Sequence, residues 1–138
     1  MAAASDSLTA RQIEYLKTQR LGRLATVDAD GAPQNNPVGF RLNADGTIDI
    51  PGFANESTRK WRNVARNPRV AFVVDDFEAN PWRVRFVEVR GTAEQIPDPD
   101  PDRRPRQPSK AIIRITPTHV YEYGLDGELP PRAKASEG

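Results

Sequence analysis

The chain has 138 residues, 37% of them hydrophobic, and its 20 Lys and Arg against 19 Asp and Glu leave a net charge of +1. That length suits one domain around one core, and the near-neutral balance lacks the basic footprint of a nucleic-acid binder, so no nucleic acid is expected as a partner. The absence of cysteine excludes disulfides, thiolate zinc sites and cysteine nucleophiles. With no apolar leader and no run near the ~18 apolar residues of a membrane span, the expectation is a cytoplasmic protein that makes no membrane contact.

Residues 1–7 read as a disordered N-terminus, 8–125 as the packed domain and 126–138 as a flexible C-terminal tail, because Pro, Ala and charge dominate both ends. Between Leu8 and Arg20 the residues Leu8, Ile13 and Leu16, with Tyr15 beside them, follow helical spacing, and Thr9 can cap the first turn. Leu21–Val27 is a first strand, closed by the turn Asp28–Gly31. A second strand, Pro33–Leu42, ends at the turn Asn43–Gly46, and Thr47–Ile50 alternates as a third, which together predict a meander.

After Pro51-Gly52, Ser57 can cap a short helix that carries Trp61, Val64 and Ala65 on its core face and stops at Asn67-Pro68. Arg69–Asp75 and Val84–Gln95 are runs of β-formers, and Gly91 suggests a bend in the second. The prolines of residues 97–108 predict a stiff exposed connection. A last strand, Ala111–Ile115, closes the sheet, with His119–Tyr123 extending it. Short strands, close turns and two helices, without strand–helix–strand alternation, predict a mainly β small barrel of six strands.

The segment Ser57–Arg69 holds five cations and no acid. At 100° per residue Arg59, Arg62 and Arg66 point away from the core face and Lys60 lies on its flank. Arg59 and Lys60 also fall in the first turn, where the helix dipole disfavours cations and free backbone N–H groups attract anions. The arginines fit a solvated face. Ser57, Thr58 and Lys60 are placed so that hydroxyl, ammonium and N–H groups converge on one phosphate.

Other candidates carry less. His119, the sole histidine, has no partner in sequence. Asp75, Asp76 and Glu78 read as a solvated loop after a strand rather than a cation site, so no metal is assigned. Trp82 could stack on a planar ring, although an aromatic at a strand start is more often core or interface. With no protein nucleophile, metal set or acid–base pair, and so no catalytic residue to assign, an enzyme built on this chain needs a cofactor to supply reactivity.

The pieces Leu21–Val27 (LGRLATV), Gly31–Gln34 (GAPQ), Pro37–Phe40 (PVGF), Thr58-Arg59-Lys60, Arg62-Asn63, Arg66–Val70 (RNPRV) and Glu88–Glu94 (EVRGTAE) resemble the pyridoxamine-phosphate-oxidase-like split barrels. The likeness is closest to their branch that uses the deazaflavin coenzyme F420, with FMN as the alternative cofactor. The resemblance implies a six-stranded split barrel with an N-terminal helix and a short helix after strand three. It implies a homodimer with paired cofactor clefts at its interface, a small-molecule substrate, and hydride transfer at the ring.

On that resemblance Thr58, Lys60, Arg62 and Asn63 contact the cofactor's phosphate or tail. Asn36, Pro37 and Val38 face the ring, Thr26 lies behind it, Ile50 to Gly52 line the cleft, and Trp82 reaches in from the other subunit. The chain lacks the C-terminal extension and the arginine/histidine substrate contacts of the vitamin B6 oxidases, which argues against that substrate. An F420-dependent oxidoreductase is therefore the expectation, with an FMN-binding oxidoreductase or a non-catalytic flavin/deazaflavin-binding protein as alternatives.

Overall fold

A computed structural model describes residues 3–100 and 102–133. Its elements in chain order are β1 (Ala3–Ser5), α1 (Ala10–Leu16), β2 (Leu21–Val27), β3 (Pro33–Gly39), β4 (Arg41–Leu42), β5 (Ile48–Ile50), α2 (Arg59–Arg66), β6 (Arg69–Ala79), β7 (Trp82–Ile96) and β8 (Ile112–Tyr123). The strands form one antiparallel sheet in the order β3-β2-β6-β7-β8-β5-β4, with β1 added beside β8. The first and last members of that path, β3 and β4, are separated in the chain by Phe40 alone, so the sheet curls until its two ends meet.

Among the described residues eight strands carry the six expected. Six of them, with β3 and β4 counted as one, match the predicted set; the second predicted strand breaks at Phe40, whose ring packs edge-on against Phe72 at 5.4 Å. The predicted meander holds, with β2 paired to β3 and β4 paired to β5 across the Asn43–Gly46 turn, and the other edge of β5 pairs with β8. The remaining extra strand, β1, pairs Ala3, Ala4 and Ser5 with Glu122, Tyr121 and Val120, where disorder was expected.

The core fills the curled sheet's inner side. Leu24, Phe72, Val74, Val87, Val89, Ile113, Ile115 and Val120 are at most 2% exposed and come from four neighbouring strands. On β8 the inward positions change from odd to even between Ile115 and Val120, which strict alternation forbids. A register shift at Arg90/Gly91 resolves this: Gly91 faces Pro117 while Arg90 faces His119, so Thr118 is the extra residue of a bulge. Gly91 is required there, since a Cβ would lie 2.1 Å from the Thr116 carbonyl oxygen.

Helix α1 is shorter than its predicted span, and its start is a capping box between Thr9 and Gln12. It docks through a buried polar cluster: the Tyr15 hydroxyl donates to Asp76 Oδ1 at 2.7 Å. Arg85, 3% exposed, grips Asp76 through Nε and Nη2 at 3.0 and 2.6 Å and reaches Glu78 at 3.1 Å. Burial pushes the Asp76 carboxyl up, but the bonds from Arg85 and Tyr15 outweigh it and hold the group below its ordinary range. The acids expected in a solvated loop therefore lie on β6, paired with arginines, Asp75 with Arg23.

The segment expected as a flexible tail is held over the described residues. Arg11 donates to the Leu125 carbonyl at 3.0 Å, Leu129 packs on the core, and the Ala133 N–H donates to the Lys17 carbonyl at 3.0 Å. Residues 134–138 lie outside the described residues. Among the described residues no helix is long and apolar enough to cross a membrane.

Gly91→Ala should lower stability by about 1–3 kcal/mol, the usual range for overpacking, because the clash is with backbone and not with a side chain that can swing away. Thermal melts of the two proteins check this.

Candidate functional site

Helix α2 begins at Thr58, not at Ser57 as the sequence suggested. Thr58 is extended (φ −86°, ψ 156°), and its Oγ1 accepts from the Trp61 N–H at 3.3 Å while donating to the Asn55 carbonyl at 2.6 Å. Ser57 closes a preceding 3-10 turn and donates its hydroxyl to the Ala54 carbonyl at 2.8 Å. Each hydroxyl has one proton to give, so both side chains are spent on local backbone and have none left for a phosphate.

The helix buries Asn63 and Val64, with Trp61 half-buried; Ala65, predicted to face the core, is exposed. The cause lies in the wheel: at 100° per residue Lys60 projects between Asn63 and Val64, whereas Ala65 lies about 100° beyond Val64. The buried stripe is thus centred on Lys60, Asn63 and Val64, and apolarity alone misplaced it by counting Ala65 in and Asn63 out. Arg59, Arg62 and Arg66 occupy the exposed side, as predicted.

Lys60 is the half-buried cation of this helix, and no acidic partner meets it among the described residues. Burial lowers its pKa from the ordinary lysine value. Thr58 accounts for the N–H groups of Trp61 and Arg62, which leaves those of Arg59 and Lys60 at the helix start to face outward. An ammonium and two N–H groups at one helix end are groups that can receive an anion.

Below Lys60, Asn63 Nδ2 donates to Thr26 Oγ1 at 3.0 Å and to Gln34 Oε1 at 3.3 Å, and Gln34 Nε2 donates to Asn36 Oδ1 at 2.5 Å. This polar row joins the helix to the free edge of the sheet and brings Thr26, Asn36 and Asn63 together. Gln34 was missed, although a signal existed: Gln34 and Asn36 put polar residues on the strand face that Val38 shares with the core. Beside the row, a groove of about 230 Å³ runs between Asp28–Asp30 and the side of α2 bearing Arg59, Arg62 and Arg66.

The remaining predicted residues divide by exposure. Pro37 stands exposed on the edge strand, whereas Val38 and Ile50 are core side chains, 7% and 0% exposed, and present only backbone outward. Gly52 lies against Asn55, whose Cγ would be 3.3 Å from an added Cβ. Asn55 was also missed. Its Nδ2 donates to Ile50 and Ala111 carbonyls at 3.0 and 3.1 Å, and its buried Oδ1 has no partner.

Trp82 stands apart from this cluster. The β6–β7 ladder runs ten steps from Arg69↔Thr92 to Ala79↔Trp82, roughly 33 Å. The Trp82 ring is 68% exposed, lies 5.1 Å from Phe77, and borders a separate groove of about 590 Å³ with Arg83 and Tyr123. His119 is exposed on β8 with Thr118 Oγ1 at 3.2 Å from Nδ1.

The sequence profile of the family described as pyridoxamine 5'-phosphate oxidase matches residues 8–124. A 5a,11a-dehydrotetracycline/5a,11a-dehydrooxytetracycline reductase of Streptomyces rimosus subsp. rimosus is 46% identical over 123 residues, 88% of this chain and 86% of that protein. Among solved structures, an F420 reductase is 31% identical with a TM-score of 0.60, covering 78% of this chain and 93% of its own. An FAD-binding protein of Mycobacterium smegmatis is 25% identical with a TM-score of 0.63, covering 84% and 94%.

The Lys60 charge is a burden on the fold by itself. Its folded pKa is lower than the unfolded one, so the burden is present at neutral pH, where both states are charged, and fades as pH climbs past the folded pKa towards the unfolded value. Lys60→Met should therefore raise stability slightly at pH 7, because solvent screens much of the half-exposed charge, with a smaller gain at high pH. Melting curves at both pH values test the sign.

Proposed function

We propose, from the premise that this chain belongs to the pyridoxamine 5'-phosphate oxidase family, that it is an oxidoreductase dependent on coenzyme F420. The observation that carries this reading is Lys60: a half-buried ammonium without an acidic partner among the described residues, set at the start of α2 above the Asn63 polar row. A charge left in that state is destabilising unless an anion completes it.

The residues fit a phosphorylated flavin-type group. Lys60 and the N–H groups of Arg59 and Lys60 would hold the phosphate, while Arg62 and Arg66 extend the positive surface along the groove for an anionic tail. Ser57 and Thr58 take a different part from the one the sequence suggested, since they fix the helix start and donate nothing outward. Asn36, with Gln34 and Asn63 behind it, offers hydrogen bonds at the sheet edge, and Val38 and Ile50 stiffen the wall from inside.

A bound deazaflavin supplies a hydride, and no side chain near the site is arranged as a nucleophile or acid–base pair among the described residues. The chain's share is to bind, orient and keep water from one face. The reductase at 46% identity acts on a dehydrotetracycline, which favours substrates with an electron-poor double bond in a fused-ring frame. The reading includes a homodimer, because Trp82 meets the α2 cluster only if it comes from a second copy. FMN or FAD is the second reading, favoured by the likeness to an FAD-binding protein.

Titration with F420, FMN and FAD decides among them: F420 should bind at micromolar concentration or tighter, and binding of none of the three would sink the proposal. Tight binding without turnover over a panel of unsaturated substrates would reassign the chain as a cofactor carrier. Lys60→Ala should weaken F420 binding by about 1–3 kcal/mol, the range for a charge-assisted bond, with the protein still folded. An unchanged affinity would return Lys60 to the role of a solvated helix residue.

A further inference from the structure

Between Asp49 and Asp75 the chain has a single carboxylate, Glu56, and it lies four residues before Lys60 in the turn that leads into α2. Arg59, Lys60 and Arg62 follow it by three, four and six residues, so three cations compete for that one carboxylate. Glu56 nevertheless does not pair with Lys60. Its Oε1 accepts from the Ser109 hydroxyl and lies 3.8 Å from Arg103 Nη2.

Both partners sit on the Pro-rich connection between β7 and β8. That connection is fastened, not free-standing: the Ser109 N–H donates to the Phe53 carbonyl at 2.8 Å, and Arg103 Nε meets Asp98 Oδ2 at 3.2 Å. Asp98 in turn accepts from the Lys110 N–H at 2.9 Å, and Ser109 Oγ accepts from the Ala111 N–H at 3.0 Å. Ser109 is itself buried, 9% exposed, so its hydroxyl is a fixed point.

We propose that Ser109 and Arg103 are positioning residues that hold the Glu56 carboxylate away from Lys60 and so keep the ammonium uncompensated for an incoming phosphate. The inference rests on the reading of Lys60 as the phosphate holder. The Pro-rich connection then has a role, which is to prevent the internal ion pair that would compete with the ligand. Glu56 keeps a partner while Lys60 stays unpaired, and the difference is set by a segment outside both the helix and the groove.

The test is a rescue cycle with two readouts. In the Ser109→Ala/Arg103→Ala variant, Glu56 is released, and the Lys60 ammonium, followed by NMR of nitrogen-15-labelled lysine, should titrate at higher pH than in the parent. F420 affinity should fall about fivefold, the scale of one competing ion pair. Adding Glu56→Gln should restore both the titration and the affinity, which a purely structural role for Ser109 and Arg103 would not allow.

An unmoved Lys60 titration in the double variant, or a shift that persists after Glu56→Gln, overturns the proposal. Should the double variant fail to fold, Glu56→Gln alone serves: it should leave the Lys60 titration where it is, and a fall would mean that Glu56 already serves Lys60. If the parent binds no F420 while the Lys60 titration follows the cycle, the positioning stands and the cofactor reading falls. If the parent binds F420 and the titration ignores Glu56, the positioning falls alone.

Discussion

The fold depends on one covalent constraint: Phe40 alone links the two outermost strands of a seven-strand path. Laid flat, six gaps between strands would hold β3 and β4 roughly 29 Å apart, and one residue advances the chain only about 3.8 Å. The sheet has to close. Closure turns a surface that would have two open faces into a cylinder with an inside, and the inside is where Leu24, Phe72, Val87 and Ile113 lose contact with water. Phe40 itself contributes to that interior through its contact with Phe72.

Closure also decides where a helix can sit. α2 comes between β5 and β6, which are far apart in the strand order, so the chain must cross over the end of the barrel to make the connection. The helix lands on β2 and β3 through Asn63, and its start is tied to β5 and to the beginning of β8 through Asn55. Those bonds are polar where ordinary packing would be apolar. Two amides thereby fix the axis of the helix, and with it the direction in which Lys60 projects.

Much of this was legible in the sequence, for reasons that particular residues make plain. Period-two alternation and glycine turns marked the strands, and Gly31 and Gly46 adopt the positive φ their turns require. Gly91 announced its bulge. What escaped reading was whatever depends on distant partners. Asp75, Asp76 and Glu78 look like a solvated acidic run until Arg23 and Arg85 are folded against them. Asn63 is a polar letter in the chain and becomes interior because Thr26 and the half-buried Gln34 satisfy it. Residues Ala3–Ser5 have no signal of their own, and their pairing is set by the edge of β8. The cluster of cations before Asn67-Pro68 was visible, but its division into one half-buried ammonium and three exposed guanidinium groups needed the helix seated.

On the reading of Lys60 as a phosphate holder, the solitary ammonium would also tie the protein's abundance to its surroundings. An anion that settles on Lys60 binds the folded chain and not the unfolded one, and at a hundred times its dissociation constant such a ligand adds about 2.7 kcal/mol to folding. A gain of that size shifts the unfolded fraction roughly a hundredfold, which is the fraction that proteases consume. A cell rich in the anion would accumulate this protein, and a host that does not make it would degrade more of each batch it translates.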